Sequence, residues 1–170
     1  MVAPRQPVTA YVALGANLGN AAQTLRDALK ALNALPETQR VKASSLYRTA
    51  PVDSSGPDYI NAVAVVSTAL TAPDLLRAMQ GVEAAAGRER PYRNAPRTLD
   101  LDLLVYGDVQ LHSPDLTLPH PRMGERAFVL MPLAELAPQL AQSIGTASQR
   151  AQAASQRIER LQGAQDWLAD

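Results

Sequence analysis

With 170 residues and 46% hydrophobic content, the chain is sized for one compact domain with a real core. Lys plus Arg equals Asp plus Glu at sixteen each, so the excess positive charge of a broad nucleic-acid footprint is missing. There is no cysteine, which excludes disulfides, thiolate metal sites and a thiol nucleophile. Residues 1–7 are polar and lack an apolar signal core, and no apolar run approaches a membrane span. The expectation is a cytoplasmic protein with neither membrane nor nucleic-acid partners.

Residues 8–14 form an apolar run that predicts a strand, ending in the turn-rich stretch 15–20. A helix is expected to about residue 35, because Leu25, Ala28, Leu29 and Leu32 fall on one stripe and Pro36 stops it. Residues 41–47 suggest a second strand, 48–58 a loop and 59–70 a long third strand. The next helix opens with Thr71 as cap and Pro73 in its first turn, and ends at Gly87. Residues 88–97 make a basic loop, and 98–106 a fourth strand that turns at Gly107–Asp108. A helix is expected over 124–136. The Gln- and Ala-rich stretch 143–170 reads as a peripheral helix or a partly disordered tail. Strand–helix–strand repeated twice predicts an α+β fold, a ferredoxin-like sandwich of mainly antiparallel sheet with helices packed on it, as one domain over 1–170.

On the fourth strand, Asp100 and Asp102 share a face, while Leu99, Leu101 and Leu103 point the other way. Two carboxylates side by side repel unless a cation joins them, and magnesium is the natural one. The alternative is an exposed face with each Asp paired to an arginine. Arg88, Arg90, Arg93 and Arg97 precede this strand, a loop suited to gripping a polyphosphate or simply to facing solvent. Gln80 and Glu83 sit three apart on the second helix, by default a solvent-facing pair. His120, between Pro119 and Pro121, is open to three readings: metal ligand, phosphate contact or plain loop residue. Tyr59 and Asn61 share a strand face and Phe128 is the only Phe; core packing is the simpler account, a stacking site for a flat heterocycle the sharper one. No Gly-Lys-Ser/Thr follows the glycines at 15 and 19, so a Walker loop is absent.

Taken together, the runs at 12–19, 47–51, 57–61, 96–102 and 118–121 resemble the 6-hydroxymethyl-7,8-dihydropterin pyrophosphokinases of folate biosynthesis, over about residues 8–138. The resemblance implies transfer of the diphosphoryl unit of ATP to the pterin hydroxymethyl group, with release of AMP and help from two magnesium ions. It implies Asp100 and Asp102 as metal ligands, and these two with Arg88 and Arg90 as the catalytic set. Gln80, Glu83, Arg88, Arg90, Arg97, Leu103 (by its backbone), Thr117, His120 and Arg126 would bind ATP. Tyr59 and Phe128 would stack on the pterin, Asn61 would read its edge, and Gly15, Thr49, Pro51 and Val52 would complete that pocket. The chain departs from common family patterns at Ala50, Asn94–Ala95, Asp115 and Pro121. The implied partners are small molecules only, and the protein is expected to be a monomer.

Overall fold

The computed structural model describes residues 5–17, 19–50, 57–87 and 99–168. The chain runs β1 (Val8–Ala16), α1 (Ala21–Asn33), β2 (Thr38–Ala43), β3 (Tyr47–Thr49), β4 (Tyr59–Thr68), α2 (Ala72–Ala86) and β5 (Asp100–Tyr106). There follow the short pair β6 (Leu111–His112) and β7 (Thr117–Leu118), a 3-10 turn (Met123–Glu125), α3 (Ala127–Leu136), α4 (Pro138–Ser143), α5 (Ala147–Ala154), β8 (Ile158–Arg160) and α6 (Ala164–Trp167). Among the described residues, six strands form one sheet in the order β5-β1-β4-β3-β8, with β2 also paired to β4. All its pairings are antiparallel.

β2 and β3 lie end to end along the same side of β4, Ala43 opposite Ala64 and Tyr47 opposite Asn61. Counted as one interrupted strand, they complete the expected ferredoxin-like order with β1 and β4 at the centre. The expected strand over 41–47 and loop over 48–58 are thus corrected: pairing begins at Thr38, breaks at residues 44–46, and resumes through Arg48 and Thr49. The break has a physical cause. Ser44 bonds Val63 with its own N–H and accepts the Val63 N–H on its Oγ, so the side chain replaces a ladder carbonyl there.

Alternation along the strands supplies two cores. Val12 and Leu14 of β1, with Ala64 and Val66 of β4, face α1 and α2, where Leu25, Leu29, Leu32, Leu75 and Met79 are buried. Ala13, Val63 and Leu104 face the opposite way, against Val129 and Leu133 of α3. α1 is capped by the Asn20 side chain and α2 by Thr71, as its sequence predicts.

Two elements differ from expectation. The helix expected over 124–136 is split, with a 3-10 turn, an extended Arg126 (φ −118°, ψ 115°) and then α3. The tail is not peripheral. α5 opens with a reciprocal Thr146–Gln149 capping box, β8 adds an edge strand beside β3, and Trp167 is completely buried. The Trp167 indole N–H donates to the Ser44 carbonyl at 2.9 Å, which ties the tail to the break between β2 and β3.

A polar knot fastens α3 to β3. The Glu135 carboxylate accepts from the Ser45 N–H, the Ser45 hydroxyl (2.8 Å) and the Tyr47 hydroxyl. Ser45 and Tyr47 are buried, and burial, reinforced by the bond to Glu135, pushes the Tyr47 hydroxyl well above its ordinary pKa. Glu135→Ala strands both hydroxyls and is expected to cost about 2–3 kcal/mol, read as a lower urea midpoint. The raised Tyr47 pKa contributes stability that is complete below the unfolded value of about 10. Stability falls as pH rises beyond that, because the unfolded tyrosine ionises first. Tyr47→Phe removes this alkaline loss, and an unchanged stability–pH slope above pH 10 would contradict the assignment.

Candidate active site

The sheet brings the ends of four strands to one edge of the α3 face. Gly15 of β1 stands opposite Asn61 of β4 on one side and Asp100 of β5 on the other, and Thr49 of β3 stands opposite Tyr59. Above this row lies a cleft of about 470 Å³. Its lining includes Gly15, Thr49, Tyr59, Asn61, Asp100 and Asp102 from the sheet, Glu83 from α2, and Arg126 with Phe128 from the start of α3.

Local chemistry explains the shape. A Cβ at Gly15 would stand 3.1 Å from the Asn61 Oδ1, so glycine leaves the Asn61 amide its place. That amide is buried and fixed, its Nδ2 donating to Thr49 Oγ1 at 2.8 Å. An oriented amide beside two partly exposed rings, Tyr59 and Phe128, makes a site for a flat polar heterocycle. On the other side of the cleft, Asp100 and Asp102 project from β5 while Leu99, Leu101 and Leu103 are buried in the α1–α2 core. Glu83 Oε2 accepts the Leu101 N–H at 2.9 Å, so α2 covers a backbone donor of this edge strand.

Arg126 joins the two halves. Its guanidinium is 3.9 Å from Asp102 Oδ2 and 5.5 Å from the centre of the Phe128 ring. Burial lowers the Arg126 pKa and Asp102 acts against that, so the group stays a cation. His120 lies nearby, its imidazole pKa lowered chiefly by burial, with Asp102 pulling the other way. The His120 main-chain N–H donates to the Leu104 carbonyl at 2.8 Å, and its ring Nδ1 accepts the Arg122 main-chain N–H.

Of the residues singled out from sequence, nine line this cleft: Gly15, Thr49, Tyr59, Asn61, Glu83, Asp100, Asp102, Arg126 and Phe128. Gln80 is exposed on α2, Leu103 has its side chain in the core, and Thr117 pairs with His112 between β6 and β7. His120 lines a separate cavity of about 460 Å³. Pro51, Val52, Arg88, Arg90 and Arg97 lie outside the described residues. Sequence reasoning missed Arg122 and Glu125, which pair at 2.8 Å on the rim. It also missed Gln152 and Gln156, which reach the cleft from the tail. Arg122 follows the Pro-His-Pro run directly, a usable signal; the two glutamines carried none. Among the described residues, no group of three or more His, Asp or Glu side chains converges as a metal cage. No helix among them is long and apolar enough to cross a membrane.

An α+β sandwich with an acidic wall, a fixed amide and two aromatic rings around one cleft is the framework of an enzyme acting on a small ring-bearing substrate. The model of the 7,8-dihydro-6-hydroxymethylpterin-pyrophosphokinase (HPPK) family matches residues 11–138, and the chain belongs to that family. A Pseudomonas aeruginosa protein named 2-amino-4-hydroxy-6-hydroxymethyldihydropteridine pyrophosphokinase is 45% identical over 157 residues, covering 91% of this chain and 97% of that one. The Haemophilus influenzae protein of the same name is 44% identical, over 78% of this chain and 84% of its own. Among solved structures, Plasmodium falciparum HPPK-DHPS with STZ-DHP is similar in fold, with a TM-score of 0.61 at 16% identity over 78% of this chain. The present chain spans 40% of that longer one.

Proposed function

We propose that this enzyme transfers the diphosphoryl group of ATP to 6-hydroxymethyl-7,8-dihydropterin, giving the pterin diphosphate and AMP in folate biosynthesis. The observation that carries this reading is the meeting, in one cleft, of a carboxylate pair and Arg126 with the Tyr59–Asn61–Phe128 group. The pterin hydroxyl oxygen bonds to the β-phosphorus, the bridge between the α- and β-phosphates breaks, and AMP leaves. The hydroxyl proton passes to solvent, and no side chain is assigned as general base.

Tyr59 and Phe128 hold the ring by its faces, and the fixed Asn61 amide reads its edge, with Gly15, Thr49, Pro51 and Val52 completing that half. Arg126, with Arg88, Arg90 and Arg97, meets the phosphate oxygens. Gln80, Glu83, Thr117, His120 and the Leu103 main chain serve the nucleotide side. Magnesium suits the acidic wall, because it takes one or two carboxylates and fills its shell with water and substrate phosphate. Asp100 and Asp102 would hold two such ions, whose contribution when bound is to neutralise phosphate charge and favour loss of the hydroxyl proton. Residues 1–170 act as one cytoplasmic pyrophosphokinase domain, a monomer on this reading.

The test is direct. ATP, magnesium and the dihydropterin together are expected to yield AMP and pterin diphosphate in equal amounts, with each component required. ADP in place of AMP, or AMP released without the pterin, would overturn the reading.

A further inference from the structure

The family match ends at residue 138, yet the side chain that braces the centre of the cleft comes from beyond it. Gln156 sits between α5 and β8. Its Nε2 donates to the Glu125 carbonyl at 2.9 Å, and its Oε1 accepts the Ala127 N–H at 2.8 Å. These two backbone groups flank Arg126. One amide therefore spans the residue whose guanidinium lies 3.9 Å from Asp102 and 5.5 Å from the Phe128 ring.

The bond to Ala127 has a clear origin. The first N–H groups of a helix have no partner within it. Among the described residues, the α3 cap position is Arg126, whose side chain makes no cap bond. The glutamine supplies the missing acceptor from far along the chain, and its donor satisfies the carbonyl on the other side. Both dihedrals of Arg126 are thereby held in the extended setting that separates the 3-10 turn from α3. The arm that carries Gln156 is itself anchored. Trp167 is buried, Gln149 donates to the Pro121 carbonyl at 3.4 Å, and Gly124 packs on Gly145 so closely that a Cβ on Gly124 would stand 2.6 Å from the Gly145 Cα.

We infer that Gln156 is a positioning residue for the transfer: it sets the directions in which Arg126 and Phe128 leave the main chain, and so aligns the phosphate-binding and ring-binding halves of the cleft. This inference rests on the diphosphoryl-transfer reading above. Alignment alone can change a rate by about a hundredfold for roughly 1 Å of displacement.

The experiment compares steady-state AMP release by wild type, Gln156→Leu, Arg126→Ala and the double variant, with Thr146→Ala as a tail control. Leucine keeps the volume of glutamine and loses both bonds. Gln156→Leu is expected to lower kcat by about 10–100-fold. Thr146→Ala loosens α5 without touching Arg126, and is expected to leave kcat within about twofold even if its melting temperature falls as far. In the Arg126→Ala background, Gln156→Leu is expected to add much less than it does alone, since residues acting as a unit are non-additive. A full additional loss in that background, or a wild-type kcat for Gln156→Leu, overturns the inference. Absence of AMP from the wild type would overturn the assigned reaction instead, so the two failures are distinguishable.

Discussion

Asp100→Ala is expected to cut AMP release by about a thousandfold or more while the protein stays folded. The residue begins β5 opposite Gly15, and its side chain lines the cleft and not either core. Replacing a poor strand former with alanine at that position removes no packing, so little stability is at stake. The rate is another matter. On the proposed role of Asp100 as a magnesium ligand, its loss removes a metal clamp on the transferring phosphoryl group that would supply several kcal/mol of transition-state stabilisation, and about 4 kcal/mol corresponds to a factor near 10³. Asp102→Ala is expected to behave alike, with one difference: it also frees Arg126 from its 3.9 Å ion pair. Steady-state AMP assays beside thermal melts decide the matter. Near-normal turnover by either folded variant would remove the carboxylate pair from the mechanism.

Trp167→Ala is expected to destabilise the fold by about 3–5 kcal/mol, more than the loss of the Glu135 knot. The indole is completely buried in the α1–α2 core, so alanine leaves a large void there. Its N–H also satisfies the Ser44 carbonyl, beside the break where β2 hands over to β3. In a domain of this length the loss corresponds to a fall of about 10 °C in Tm. Phenylalanine at the same position is expected to recover most of the packing but not the hydrogen bond. A Tm within about 2 °C of wild type for the alanine variant would mean that the tail contributes little to the fold.

Trp167 also marks the limit of what was legible in the residues themselves. β1, β4, β5, α1 and α2 follow from patterns of period 2 and 3.6 together with local caps, and each stands close to where those patterns put it. The division of β2 from β3 depends on the Ser44 hydroxyl standing in for a backbone acceptor, which no periodicity records. The break before α3 depends on the Gln156 amide, 29 residues from its partner Ala127. The tail, expected from its Gln- and Ala-rich composition to be a peripheral helix or partly disordered, proves to supply both a strand and a core residue.

The cleft divides in the same way. Asp100 and Asp102 were legible because carboxylates alternate with leucines in a strand. Tyr59, Asn61, Phe128 and Arg126 became legible through the family resemblance. Their convergence on one 470 Å³ cleft is a finding of the fold. Gln152 and Gln156 were not legible, since a glutamine in a glutamine-rich segment has no local signature, and Gln156 acts through main-chain groups distant in sequence.

The strand order has a consequence in time. β1 is made first but pairs with β4 and β5, and β3 has as its outer neighbour a strand in which Arg160 meets Tyr47. β2 and β3 can pair with β4 from contiguous sequence, but the pairings of β1 with β4 and β5 and of β3 with β8 cannot. Non-local pairing of this kind places folding in the slower, roughly millisecond-to-second, range of small domains. During synthesis, β4 must appear before β1 has any partner, and β8 comes last of all. The brace on Arg126 is therefore set only after the rest of the sheet exists, so that the cleft and the completed fold arrive together.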